Sequence, residues 1–302
     1  MLTFARAYAA PRVFAQLTGL SVAEFDVLRP AFAAAYADDL GRRHARQGRK
    51  RRPGAGRRSA LPTPDDKLFF LLFYFRHYPT QEALAFLFGF SQGQANRWIH
   101  RLTPLVNRAL GYRLHLPARD AADLAALLGA VPGLGVILDG TERPVRRPGD
   151  GGRQKADYSG KKKRHTKKNI VVTDKGTGKV LGLGATQPGS AHDKKCVDEE
   201  GYTFPLGTKV YQDTGFQGYA PPGAEVVQPK KKPRGKELTP QEKASNRGIS
   251  RERIGVEHSI GGVKVFGIVS DIFRNLKEGF VDLVMETACG LFNLRKTCRA
   301  TN

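Results

Sequence analysis

Apolar residues recur every three or four positions through the first two-fifths of the chain, the period of a helix with one buried face. Phe25, Leu28 and Phe32 predict a helix over 20–40, with Ser21 as its cap and Glu24 as capping-box partner. Leu68, Leu71, Leu72 and Phe75 predict a second over 64–78. After Thr80, a plausible N-cap, a short apolar helix runs to Phe88; Gly89 breaks it, and Ser91 can cap the next. On that next helix Ala95, Trp98, Ile99 and Leu102 form the buried face. A further helix is expected over 119–129.

Beyond Val131-Pro132-Gly133 the period changes to that of strands. The segment 135–145 reads as the first. The segment 169–187 reads as a hairpin turning at Lys175-Gly-Thr-Gly178. A possible helix over 190–200, strands over 208–216 and 224–229, and long helices from about 239 into the 260s and from about 276 to 298 complete an α/β layered region. No internal repeat is visible. The glycine pairs at 182/184 and 261/262 lack the rest of a nucleotide-binding fingerprint.

Charge then narrows the function. The 302 residues carry 50 Lys plus Arg against 28 Asp plus Glu, a net +22 that calls for a polyanionic partner, nucleic acid first. A membrane partner is disfavoured, because the longest apolar run, 68-LFFLLFYF-75, is far short of the roughly 20 residues of a span. Arg6 and Arg12 spoil a signal peptide, and the three scattered cysteines suit neither zinc nor a disulfide framework, so a reducing cytoplasm is expected. The stretch 42-RRHARQGRKRRPGAGRR-58 holds nine Lys and Arg and no acid, and reads as a basic linker or an arm along phosphates. Helix, glycine turn, helix over 80–106 is the arrangement of a helix-turn-helix DNA reader. Gln92, Gln94, Arg97 and Arg101 are expected to project from its second helix toward bases and phosphates.

Against this basic background two acids stand out. The apolar run 135-GVIL-138 meets Asp139, and 209-KVYQ-212 meets Asp213; each acid is followed within two residues by Gly. Adjacent strands would set them side by side, and like charges so placed call for a bridging cation. Carboxylates beside a phosphate-binding surface suit Mg²⁺ and two-metal phosphoryl chemistry. Glu252 and Glu257 are the downstream candidates for a third acid. Arg253 and Lys264 lie four residues before and seven after Glu257, on one helical face. Glu142 reads as the end of a strand. In 188-PGSAHDKK-195, Ser190 as a helix cap accounts for part of the pattern, and a direct catalytic role for His192 or Asp193 is disfavoured.

The segments 138-LDGTERPVRRP-148, 211-YQDTGFQGY-219 and Arg253-x3-Glu257-x6-Lys264 resemble the catalytic motifs of DDE transposases, specifically insertion-sequence transposases of the insertion sequence five family, relatives of PIF/Harbinger enzymes. Ser250 stands where the family's related signature has Tyr. Residues 61–99 are similar to the family's helix-turn-helix segment. The resemblance implies an RNase H-like catalytic domain with a mixed five-stranded sheet, preceded by an all-α helix-turn-helix region. Asp139 would be on the first strand, Asp213 on the fourth and Glu257 on a late helix. These three would bind two Mg²⁺ or Mn²⁺ and serve as the catalytic residues. The implied activity is binding of terminal inverted repeats in double-stranded DNA, hydrolytic cleavage of the ends and joining of the 3′-OH to target DNA. A homodimer on DNA and a bacterial, nucleoid-associated location are expected with it. An inactive DNA-binding descendant and a stand-alone two-metal nuclease are the alternatives. The expected organisation is an N-terminal helical segment (1–41), the basic linker or arm (42–60), the helix-turn-helix domain (61–115), a connector (116–133) and the catalytic domain (134–302).

Overall fold

The computed structural model describes residues 1–46, 59–131, 133–233, 235 and 237–300. Most of the basic stretch 42–58 therefore lies outside the described residues, as do Arg234 and Lys236; only 42–46 of that stretch is described, and it is helical. The chain forms two compact units, one of residues 1–116, 265–271 and 283–302, the other of residues 117–264 and 272–282.

The first unit is helical. Its elements α1 (Phe4–Tyr8), α2 (Pro11–Thr18), α3 (Val22–Arg46), α4 (Pro64–His77), α5 (Gln81–Phe88) and α6 (Gln92–Tyr112) follow in order. The capping box at Ser21 forms as expected: Ser21 N donates to Glu24 at 2.7 Å, and Glu24 N donates back to the Ser21 hydroxyl. Residues 4–18 carry two helices that the sequence pattern does not announce. They deliver Phe4, Tyr8 and Phe14 to an aromatic core with Phe25 and Phe69, where ring centroids stand 5.2–6.4 Å apart. Helix α4 is not one-faced; every residue from Lys67 to Phe75 is buried, as in a central helix. Buried Lys67 survives because its ammonium donates to the carbonyls of Leu61, Pro62 and Thr63 and lies over the rings of Tyr36 and Trp98. Thr80 caps α5, left-handed Gly89 ends it, and Ser91 caps α6 in a capping box with Gln94, which is the expected helix-turn-helix.

The second unit opens with α7 (Ala121–Gly129), capped by Asp120. Strands β1 (Val136–Pro144), β3 (Arg164–Asp174), β4 (Val180–Leu183), β6 (Thr208–Tyr211) and β7 (Ala224–Val227) form the sheet, with the two-residue strands β2 (Tyr158–Ser159) and β5 (Gln187–Pro188) along β3. Short α8 (Gly151–Asp157), α9 (Asp193–Glu200) and long α10 (Pro240–Val263) complete it. β1 is antiparallel to β3, β3 to β4, while β1–β6 and β6–β7 are parallel, so the sheet is mixed and the fold RNase H-like. Leu138, Val172, Val197, Val210 and Phe216 pack in one core with α7 and α9.

The chain then supplies α11 (Gly267–Ser270) and α12 (Phe280–Ala300), whose residues from Leu283 on belong to the helical unit. The expected catalytic segment 134–302 thus divides between the units. In the helical unit, Asn293 of α12 donates to the His115 carbonyl at 2.9 Å, and Gly290 lies against Leu110 and Leu116.

Candidate active site

Asp139 is not at a strand tip. β1 runs five residues past it, because β3 pairs with β1 along its whole length. The neighbour on the other side, β6, pairs only at Val136–Val210 and Ile137–Tyr211. From Leu138 to Arg143 this edge of β1 pairs with no other strand among the described residues, and only at Pro144 does Phe273 take it up again; the gap lies where the sheet order switches direction, the usual location of a site in an open α/β sheet. Ile137 lies against Gly255 of α10, so Asp139, two residues on, faces α10 as well. Asp213 caps a 3₁₀ turn, Thr214–Phe216, its carboxylate accepting from Gly215 N at 2.6 Å. Asp139 accepts from Gly140 N at 2.9 Å.

Arg253 of α10 spans the two acids, its Nη2 3.8 Å from Asp139 Oδ1 and 3.9 Å from Asp213 Oδ2. Both distances are ion-pair contacts beyond hydrogen-bond reach, and Arg253 Nε is buried without a hydrogen-bond partner. Burial pushes Asp139 up to about 6; the Gly140 amide and Arg253 oppose this, while Asp213 and Asp193 add to it. Lys264 is lowered, by burial first and then by Lys162, with Asp139 and Glu142 opposing. Asp139, Asp213, Arg253 and Lys264 therefore share one electrostatic neighbourhood.

Glu257 is not drawn into it. Its side chain is exposed on α10, and among the described residues no three His, Cys, Asp or Glu side chains are grouped to hold a metal ion. Glu252, the other downstream acid, pairs with Lys175 at 2.6 Å. Glu142 is occupied as well: Thr166 donates to it at 2.7 Å and Lys168 stands 3.9 Å away. Asp193, for which the sequence reading disfavoured a direct catalytic role, lies close to this neighbourhood and acts on Asp139 through its charge. It sits at the start of α9, whose N-cap is His192 rather than Ser190, and pairs with buried Lys168 at 2.8 Å. Its sequence signals were the 188-PGSAHDKK-195 segment itself and the glycines that follow Asp139 and Asp213.

On the helix-turn-helix, Gln92, Gln94 and Arg97 are exposed. Gln92 donates to Gln81 of α5, and Gln94 is the capping partner of Ser91. Arg101 does not project outward as expected. It pairs with Asp39 of α3 at 2.8 Å and lies over the Tyr36 and Trp98 rings, because the turn of α6 that carries it packs on α3.

Residues 138–293 match the family model described as DDE superfamily endonuclease, and residues 59–111 match the helix-turn-helix of DDE superfamily endonuclease. The chain belongs to the DDE-type insertion-sequence transposases. Relatives agree. One is named a probable transposase for insertion sequence element IS702 from Microchaete diplosiphon, 28% identical over 85% of this chain and 88% of its own. Another, named with similar reserve for the transposase of insertion sequence element IS112 from Streptomyces albus G, is 29% identical over 83% and 86%. No solved structure matches at a comparable level. Endonucleases of this superfamily generally depend on divalent metal, and Asp139 and Asp213 are oxygen donors of the right kind: burial destabilises the charge on Asp139, and Arg253 reaches both acids without hydrogen-bonding either. No described helix of this transposase is long and apolar enough to cross a membrane.

Proposed function

We propose that the protein binds the terminal inverted repeats of an insertion sequence, cuts the ends by metal-dependent hydrolysis and joins the freed 3′-OH to target DNA. The observation that carries this reading is the Asp139–Asp213 pair, brought together beyond the short β1–β6 pairing and spanned by Arg253. Asp139 and Asp213 would hold Mg²⁺ or Mn²⁺, two ions in all, with Glu257 as the third ligand. When bound, the ions activate the attacking water and stabilise the leaving oxygen of an in-line displacement. Arg253 supplies the countercharge to the acids in the metal-free protein. With the acids committed to metal, its guanidinium and the Lys264 ammonium are free to hold phosphate oxygens.

DNA is held by Gln92, Gln94 and Arg97 at the start of α6, where side chains of a second helix reach a groove. A groove of about 630 Å³ beyond the end of β1, lined by Arg146, Arg147, Arg153 and Lys277 among others, suits a further run of phosphates. Two ends must be brought together, so the active form is a homodimer on DNA, at the bacterial nucleoid. A strand-transfer assay tests the whole reading. Purified protein, labelled terminal repeats and supercoiled target are combined with Mg²⁺ or EDTA, with Asp213→Ala beside the wild type. Metal-dependent joining that the variant lacks is expected. Tight end binding without cleavage under any divalent metal would refute catalysis, and cutting without joining would point to a nuclease.

A further inference from the structure

We propose that Asp193 is a positioning residue of the catalytic centre, its carboxylate placed by Lys168 against the two glycines that follow the paired acids so that its charge strengthens binding of the divalent ion. The proposal rests on the reading of Asp139 and Asp213 as ligands of that ion. Asp193 comes from α9, on the face of the sheet opposite Asp139, where a side chain at either glycine would crowd its carboxylate. A Cβ on Gly140 would stand 3.0 Å from Asp193 Oδ1. A Cβ on Gly215 would stand 2.8 Å from Asp213 Oδ1 and 3.0 Å from Asp193 Oδ2. Oxygens of Asp193 and Asp213 thus converge on one point, and only backbone separates Asp193 from Asp139.

Lys168 fixes this arrangement. Its ammonium is held by the Ala191 carbonyl at 2.6 Å and takes Asp193 Oδ1 at 2.8 Å, which leaves Oδ2 turned toward Gly215. An acid in the first turn of α9 is favourable to the helix in itself. That benefit explains neither the two glycines nor the second oxygen. In a partly buried site a negative charge several ångströms away retains a sizeable pull on a divalent cation.

The test is Mn²⁺ binding to the full chain without DNA, read from the electron paramagnetic resonance signal of free Mn²⁺, with the metal-free melting temperature beside it. Asp193→Asn keeps the shape and removes the charge, and it should weaken binding about tenfold or more. Lys168→Met loosens the placement but removes the opposing charge, so it should weaken Mn²⁺ binding clearly less than Asp193→Asn does. If the pair were only a strut, both variants would weaken binding alike, and that result overturns the proposal. Gly215→Ala keeps every charge and fills the point of convergence, so it should also weaken binding; it carries the test should Asp193→Asn not fold. Wild-type affinity in Gly215→Ala or Asp193→Asn, with affinity lost in Asp139→Asn, overturns this inference alone. A wild type that binds no Mn²⁺ overturns the reading on which it rests.

Discussion

Asp139 and Asp213 stand at matching positions on parallel neighbours, each two residues beyond the paired Ile137 and Tyr211. That match sets two carboxylates together and leaves one of them short of water.

The first consequence is a stability cost at Asp139. Its carboxyl is raised to about 6 in the folded state, so between roughly pH 4 and 6 the folded, metal-free protein holds a proton that the unfolded chain has released. Stability therefore falls as pH rises through this window, and the penalty is complete above it. Asp139→Asn should stabilise the protein by about 1–2 kcal/mol in EDTA at pH 8. Urea denaturation measures this, and a variant less stable than wild type would contradict the burial of the charge. Proton and metal also compete for the same oxygens, so divalent-ion affinity should decline as pH drops below about 6.

If Asp139 and Asp213 hold the proposed ion, Arg253, which neutralises both acids, would repel it. Arg253→Gln should bind Mn²⁺ at pH 8 at least as tightly as wild type, yet cleave DNA at least about tenfold more slowly through loss of a phosphate contact. Parallel titration and cleavage rates decide; weaker Mn²⁺ binding would show that Arg253 supports the acids rather than opposing the ion.

Two arginines on α6 should separate cleanly. Arg97 is exposed, so Arg97→Ala should weaken end binding and lower the salt-dependence slope by about 1. Arg101 pairs with Asp39, so Arg101→Ala should instead cost about 1–2 kcal/mol of stability. Filter binding across a salt series, beside thermal melts, distinguishes the two.

Lys67 is buried, and burial brings its ammonium down to about 8. Removing it strands the carbonyl of buried Leu61 and takes the ammonium from over the Tyr36 and Trp98 rings. Lys67→Ala should destabilise the protein by about 2–4 kcal/mol without altering Mn²⁺ affinity, as denaturation and metal titration would show.

Features written in local chemistry were readable before the structure. Ser21, Thr80 and Ser91 cap their helices because hydroxyl and amide lie within a turn of each other. That adjacent strands bring Asp139 and Asp213 together was readable too, since apolar runs of like pattern lead to both; that those strands run parallel was not. Contacts between distant segments were not. Arg101 has the spacing of an outward residue, and only α3, 62 residues earlier, turns it inward. Asp193 meets its site through the absence of side chains at Gly140 and Gly215, which no period records. Glu257 matches its motif and yet is exposed, so motif and local geometry give separate information there. Helices α1 and α2 are short, and their aromatic residues show their purpose only once Phe25 and Phe69 are beside them.

The helical unit draws on both sides of the catalytic sequence. On the ribosome, the helix-turn-helix leaves the exit tunnel early, but the unit that contains it is closed by α12, which is made only after every residue of the sheet and α10. A chain interrupted before residue 283 would carry Asp139, Asp213 and Glu257 without a finished recognition unit. Completion of the helical unit is thereby postponed until the sheet and α10 have been made, so the two units cannot mature in the order in which their first residues leave the tunnel.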